Sequence, residues 1–263
     1  MDSFYWTLGF QLDQYSNNNS TFDLKHYQIQ ARFPIMNSCS ERDRYRDRPY
    51  IIINCAMSID GKIALPTKKP VKLSSLEDFR RVHELRNYCD AILVGINTIL
   101  FDDPKLTVKP EFVIKPKNPV RIVLDTNGQV PKNANVLNGD SPTYIIIGEK
   151  PQNSGLCFPN SEAVQCPVVP DRDEIDLKKL MKILYDKGIE NLLVEGGESV
   201  IFSFLRDRLF DELTVFISNK IIGGTESPTM AGGPGFLTED DMLELRLYSV
   251  ERMGDGILLK YLA

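Results

Sequence analysis

From Tyr50 to the C-terminus, short β-branched runs alternate with stretches whose apolar residues recur every three or four positions. That is the pattern of strands separated by amphipathic helices. The runs predict strands over Tyr50–Ala56, Ala91–Val94, Val120–Leu124, Thr143–Ile147, Ala163–Val168, Asn191–Val194, Glu212–Ile217, Glu244–Glu251 and Ile257–Tyr261. Several are unbroken apolar runs, which suits strands covered on both faces, as a parallel sheet requires. The expected fold class is α/β, with a mainly parallel central sheet flanked by helices.

Three helices are predicted between the strands. One starts near Ser74, where Ser74 and Glu77 have capping-box spacing, and runs to about Tyr88 with Phe79, Val82 and Leu85 on one face. A second fits Asp176 to Lys187, with Asp176 as N-cap, Leu177, Leu180, Met181 and Leu184 as its stripe, and Gly188 as a left-handed stop. The third follows Gly197 and uses Val200, Ile201, Phe204 and Leu205. Phe202, Phe204 and Phe210 are expected in the core, as are Cys55 and Cys89, which sit inside or beside predicted elements. His83 falls beside the stripe of Val82 and Leu85, so a structural place on the helix surface is expected of it, although imidazole titrates near neutrality. The Pro/Gly-rich stretch Gly223–Gly235 reads as a surface loop and a candidate lid.

Composition divides the chain. Residues 1 to 47 contain an Asn/Ser run at Ser16–Thr21 and alternating charges at Glu41–Arg48, and form an N-terminal appendage to a folded domain over residues 48–263. The appendage is either an interaction tail or sequence upstream of a second candidate start, Met36. The formal charge of −5 argues against a general nucleic-acid binder, which needs a basic face. Five scattered cysteines without a C-x-x-C pair suggest neither a disulfide framework nor a metal site. No apolar run approaches the roughly 20 residues needed to span a bilayer, and the polar start lacks a signal core. A cytoplasmic protein with no membrane partner is expected.

Candidate chemistry lies where strands end. Leu193-Val194-Glu195-Gly196-Gly197-Glu198-Ser199 is a strand that reaches two glycines and then opens a helix. Such glycines let backbone approach a ligand, and the first helical N–H groups can take a phosphate, although a plain tight turn reads equally well. The Rossmann G-x-G-x-x-G pattern is missing. At the end of the first strand, Ser58-Ile59-Asp60-Gly61-Lys62 places a carboxylate and an ammonium around a flexible glycine, where an ordinary turn is the commoner meaning of Asp-Gly. In Val94-Gly95-Ile96-Asn97-Thr98-Ile99-Leu100-Phe101-Asp102-Asp103-Pro104-Lys105-Leu106-Thr107, Thr98 and Asp102 share one helical face, while Asp102 and Asp103 alone suggest only turn capping before Pro104. All three segments follow predicted strands, and open α/β sheets gather ligands beyond the carboxyl ends of strands.

Together these segments resemble the pyrimidine reductases of riboflavin biosynthesis, whose pattern includes a Ser/Thr-x-Asp-Gly-Lys strand end, a Val-Gly-x-x-Thr-x-x-x-Asp-Asp-Pro-x-Leu-Thr block and a Glu-Gly-Gly turn. The resemblance runs from about Arg48 to the C-terminus and also covers Asn118-Pro119-Val120-Arg121-Ile122-Val123-Leu124-Asp125 and Lys220-Ile221-Ile222-Gly223-Gly224. It implies a dihydrofolate-reductase-like fold over the reductase domain 48–263, a homodimer, and NADPH as hydride donor to a small phosphoribosylamino-pyrimidine. By the same resemblance, Thr98, Asp102, Thr126, Asn127, Gly196, Gly197, Glu198 and Ser199 would contact the cofactor, with Ile175 beside the adenine. Ser58, Asp60, Lys62, Arg86, Asp103, Leu106 and Glu195 would form the substrate pocket, and Lys109 stands where many relatives have a basic residue. Asp60, Lys62 and Glu195 are the candidates for proton handling and orientation. The zinc deaminase patterns H-x-E and P-C-x-x-C are absent from the sequence, whose histidines are His26 and His83.

The resemblance to stand-alone enzymes implies the undeaminated substrate, 2,5-diamino-6-ribosylamino-4(3H)-pyrimidinone 5′-phosphate. The deaminated 5-amino-6-(5-phosphoribosylamino)uracil, a non-catalytic nucleotide-binding sensor, and a pterin or folate reductase on the same fold are the alternatives. Reduction at C1′ requires the sugar opened to an imine and a hydride from the nicotinamide, so the protein's share is to hold the two partners close and exclude water.

Overall fold

The unbroken β-branched runs do form strands buried on both faces. The computed structural model describes residues 47–69, 71–152 and 158–263. Met36, His26, Cys39 and nearly all of the expected appendage lie outside the described residues, as does Cys157. The elements are β1 (Tyr50–Met57), α1 (Leu76–Tyr88), β2 (Ala91–Gly95), α2 (Ile96–Asp102), β3 (Val120–Leu124), β4 (Thr143–Ile147), β5 (Glu162–Gln165), β6 (Val168–Val169), β7 (Glu174–Ile175), α3 (Leu177–Asp186), β8 (Asn191–Gly196), α4 (Glu198–Arg206), β9 (Glu212–Ile217), β10 (Arg246–Met253) and β11 (Gly256–Leu262).

Nine strands form one sheet in the order β10-β11-β9-β1-β8-β2-β3-β4-β5. Every pairing from β9 to β5 is parallel, and β10 and β11 close one edge as an antiparallel hairpin. The sheet is thus mainly parallel, as expected. Because β1, β8, β2 and β3 are consecutive and parallel, the segments after them open on one rim.

Side chains alternate between the two faces of each strand. Ile51, Ile53, Leu192, Val194, Leu213 and Val215 point to one face and pack with Leu180, Met181 and Leu184 of α3 and with Ile201 and Phe204 of α4. The predicted stripes of both helices are therefore core. Phe202, Phe204 and Phe210 are buried, as are Cys55 and Cys89. Asp176 caps α3 by accepting from the Lys179 N–H at 3.1 Å, and Gly188 takes the left-handed conformation beyond it.

The α1 expectations need correction. The cap is Ser75, whose hydroxyl accepts from the Asp78 N–H at 3.1 Å, one residue later than the capping-box spacing suggests. The sheet-facing side of α1 is charged. Asp78 and Arg81 are buried, and Arg81 donates from Nε and Nη2 to Asp78 Oδ1 and from Nη2 to Asn54 Oδ1 at 2.7 Å. Leu85 is buried, whereas Phe79 and Val82 are half-buried. His83 is not on the surface: only 2% of it is exposed. The stripe argument misplaced it because α1 is enclosed on more than one side, with Phe112 covering the His83 ring at 5.3 Å between centroids.

Two strand boundaries also move. The run Ala163–Val168 splits into β5 and the short β6, and β10 begins at Arg246 instead of Glu244. Among the described residues, no helix is long and apolar enough to cross a membrane, and no group of three His, Cys, Asp or Glu side chains could hold a metal ion.

Candidate active site

The rim above β1, β8, β2 and β3 holds a cleft of about 510 Å³, within the size range of small-molecule sites. Its floor is built by the chain leaving these strands. Gly196 and Gly197 have φ of +130° and +50°, values that favour glycine, and a Cβ on Gly196 would point into open space. At Gly95, by contrast, a Cβ would come within 2.7 Å of Val200 Cγ2, so glycine here lets β2 and α4 pack closely. Among the described residues no side chain caps α4. Its first N–H groups therefore remain as donors, as at any uncapped helix start. An open glycine turn leading into free N–H donors fits a diphosphate, so the residues present suit a dinucleotide.

Several of the expected cofactor residues meet at this cleft. Thr98, Asp102, Thr126, Ile175, Gly196, Gly197, Glu198 and Ser199 all line it, while Asn127 does not. Thr98 approaches the glycine turn closely, since a Cβ on Gly197 would lie 3.6 Å from its Oγ1. Asp102 ends α2 at the cleft, and desolvation raises the pKa of its carboxyl. Glu198 turns partly away from the cleft: its Oε2 accepts from the Thr229 N–H at 3.0 Å, and its side chain presses on Gly232.

On the other side of the cleft, Arg86 and Glu195 form a two-pronged ion pair. Arg86 Nε donates to Glu195 Oε1 at 2.9 Å and Nη2 to Oε2 at 2.6 Å, with both side chains largely buried. Such fork-to-fork geometry holds both planes fixed. Cys55 also lines the cleft, but burial, and then the nearby Asp78 charge, push its thiol up to about 12, so it is no nucleophile at neutral pH.

The remaining expected substrate residues, Ser58, Asp60, Lys62, Asp103 and Leu106, are not among those that line the cleft. Asp60 accepts from Ser58 Oγ at 2.6 Å and from the Ile222 and Gly223 N–H groups at 3.0 and 2.6 Å. These bonds, the Ser58 one first, lower its pKa to about 2. Lys62 donates from Nζ to Ser227 O at 3.2 Å, and Ile63 N–H donates to Pro228 O at 2.9 Å. The segment after β1 is thus stitched to the 220–231 loop, and Asp60 and Lys62 are stitches. Asp103 has φ of +40° and clamps Asn135 through its N–H and side-chain amide. Leu106, also left-handed at φ +52°, is buried.

Sequence reasoning missed Phe79 and Val82, assigned to core, and also Lys68, Phe101 and Asn54, all of which line the cleft. Lys68 Nζ stands 5.0 Å from the Phe101 ring centroid. The one available signal was the position of Phe101 one residue before Asp102.

With this geometry established, the comparisons with known proteins agree with one another. The family model described as the RibD C-terminal domain matches residues 49–259. A protein of Methanothermobacter thermautotrophicus named 2,5-diamino-6-ribosylamino-4(3H)-pyrimidinone 5′-phosphate reductase is 40% identical over 216 residues, covering 81% of this chain and 98% of the relative. A protein of Archaeoglobus fulgidus with the same name is 35% identical, covering 80% and 95%. Among solved structures, a deaminase/5-amino-6-(5-phosphoribosylamino)uracil reductase from Thermotoga maritima superposes with a TM-score of 0.68 at 27% identity; the match covers 82% of this chain and 56% of that longer one.

Proposed function

The chain belongs to the RibD C-terminal domain family of riboflavin biosynthesis, and from that membership we propose that it reduces 2,5-diamino-6-ribosylamino-4(3H)-pyrimidinone 5′-phosphate to its ribitylamino form with NADPH. It is an oxidoreductase with a dihydrofolate-reductase-like fold and a nicotinamide cofactor. The observation that carries the fuller reading is the convergence of the segments after β1, β2 and β8 around one cleft that has an open glycine turn at one side and a fixed Arg86–Glu195 pair at the other.

In this reading the Gly196–Ser199 turn and the first N–H groups of α4 hold the diphosphate, with Thr98 and Asp102 of α2 and Thr126 after β3 alongside and Ile175 toward the adenine. When bound, the cofactor supplies the hydride to C1′ of the opened ribosylamine. The pyrimidine lies over the β1 and β8 ends. Glu195, held by Arg86, orients it by accepting from ring amino groups, and the Lys109 ammonium meets the 5′-phosphate. Phe79, Val82 and Ala56 exclude water from the reacting centre. Asp60, Lys62 and Ser58 serve the site by fixing the 220–231 loop beside it, and Asp103 and Leu106 by shaping the chain that leads to Lys109. The proposal includes a cytoplasmic location and a homodimer, with residues 1–47 as an appendage to the 48–263 reductase domain.

The deciding experiment is loss of nicotinamide absorbance with each pyrimidine in turn and with NADPH and NADH side by side. Turnover of the diamino substrate with NADPH is expected. Turnover only of the deaminated substrate would transfer the assignment to that form, and cofactor binding without turnover of either would sink the enzymatic reading in favour of a sensor.

A further inference from the structure

His83 has so far no part in the site, yet its ring is buried and its Nδ1 accepts a hydrogen bond from the segment beside the cleft. Residues 104–109, between α2 and the 3-10 turn Pro110–Phe112, belong to no helix or strand. Backbone groups without a ladder must find partners elsewhere. Here side chains supply them: Arg121 Nη1 donates to Lys105 O at 3.3 Å, Arg86 Nη1 to Thr107 O at 3.2 Å, the Val108 N–H to Asn118 Oδ1 at 2.9 Å, and the Lys109 N–H to His83 Nδ1 at 3.2 Å. His83 and Arg86 are three apart on α1 and so share a face. One helix face therefore grips the strap at two points while Arg86 also fixes Glu195 in the cleft.

The His83 ring is itself immobilised. Phe79 meets it edge-on at 4.7 Å and Phe112 stacks on it at 5.3 Å with planes 12° apart. Among the described residues its buried Nε2 has no hydrogen-bond partner, and the bond to Lys109 is the ring's polar anchor there. The Phe79 ring that orients His83 also lines the cleft and carries the Lys109 ammonium 4.9 Å from its centroid. Nδ1 can accept only while unprotonated. Burial first, and then the Arg86 charge, lower the His83 pKa to about 4, which leaves a neutral acceptor at neutral pH.

We propose that His83 is a positioning residue for the reduction: by accepting the Lys109 N–H it sets the strap so that the Lys109 ammonium stands over Phe79, ready for the phosphate of the incoming pyrimidine. The inference rests on the reading of this cleft as a phosphopyrimidine site. A residue that merely filled space would be replaced by any side chain of similar volume. A positioning acceptor is replaced only by one that puts a lone pair where Nδ1 was.

The test compares His83→Asn, whose Oδ1 falls near the Nδ1 position, with His83→Gln, whose amide reaches instead toward Nε2, and with His83→Leu. Steady-state kinetics and direct titration with the diaminopyrimidinone phosphate are run on the full chain. His83→Gln and His83→Leu should raise KM and Kd for the pyrimidine about tenfold, the scale of one lost hydrogen bond. The kcat and the KM for NADPH should move less than about twofold, and His83→Asn should recover most of the loss. In the Lys109→Ala background, His83→Gln should add nothing further. Equal KM values for the Asn and Gln variants, or effects of His83→Gln and Lys109→Ala that multiply, would overturn the proposal. If His83→Leu fails to fold, the Asn and Gln pair still decides. A wild-type chain that binds the pyrimidine but does not reduce it would sink the proposed function alone, because the affinity ratio of the two variants still reads the positioning role. A wild type that binds neither pyrimidine sinks both.

Discussion

Both faces of the central sheet bury apolar side chains, and one of them also buries a set of polar and charged groups. Toward α3 and α4 the strands present Ile51, Ile53, Leu93, Ile122, Val194 and Val215, and the helices answer with Leu180, Leu184 and Phe204. Toward α1 the same strands also present Ile52, Ile92, Val123, Leu193 and Phe216, and set among them are Asn54, Arg121, Thr143, Glu195, Glu212 and Thr214, nearly all buried. Here Arg81 bonds Asp78 and Asn54, Thr214 Oγ1 also donates to Asn54 Oδ1 at 2.9 Å, and Lys260 pairs Glu212 at 2.9 Å. An apolar face gains stability from area alone. A buried ion pair gains little over an apolar replacement, but losing one partner is costly. The α1 face is also the one that carries Arg86, Glu195, His83 and Lys109. The molecule thus buries stabilising apolar area on both sides of the sheet and gathers its orienting groups on one of them.

The sharpest way to break this contrast is to unpair the buried charges. Asp78→Leu leaves Arg81 buried with no carboxylate and should cost about 3–5 kcal/mol in urea unfolding. The double variant Asp78→Leu/Arg81→Met should regain most of that loss. A double variant as unstable as the single one would mean that the pair stabilises the fold outright, and the two faces would no longer differ in kind. Toward α3 and α4, where the core residues are apolar throughout, the arithmetic has no such rescue. Leu184→Ala, at a fully buried position of α3, should cost about 2–5 kcal/mol through lost burial and a cavity, while pyrimidine and cofactor KM stay near wild type. A large rise in either KM from Leu184→Ala would show that the apolar layer also holds the site.

The same division explains how much could be read from the sequence. The apolar face was legible because burial there coincides with hydrophobic periodicity: the stripes of Leu177, Leu180, Met181 and Leu184, and of Val200, Ile201, Phe204 and Leu205, are core or packed on it. The α1 face was not, because its inward positions are Asp78 and Arg81, which read as solvated charges, and its apolar Phe79 and Val82 face the cleft. His83 was misplaced for the same reason. The glycine turn at Gly196–Gly197 was visible as two glycines between a strand and a helix. The bonds that draw Asp60 to Ile222 and Gly223 join residues more than 160 positions apart, and no local spacing reports them.

That distant latch yields the smallest expected effect and the finest test of where orientation is built. Asp60 is fully exposed, and its carboxyl is held near pKa 2 by the Ser58 hydroxyl and the two backbone N–H groups, against 3.8 for the free group. A folded-state pKa below the unfolded one means that the contribution is present above pH 3.8 and lost as pH falls from there toward 2. The latch should therefore hold without change from pH 7 to pH 5 and open between about pH 4 and pH 2. Amide hydrogen exchange at Ile222 and Gly223 should quicken in that interval while exchange in β1 and β8 stays slow. Asp60→Asn keeps a single carbonyl acceptor for the Ser58 hydroxyl and the two backbone N–H groups, so it should show faster exchange at both amides already at pH 7 and lose the acid step. Its pyrimidine KM should rise less than that of His83→Gln, since Asp60 acts on the loop beside the cleft and not on the strap that carries Lys109. Unchanged protection at Ile222 and Gly223 in Asp60→Asn would remove Asp60 from the orienting layer and leave the α1 face as the sole support of the site.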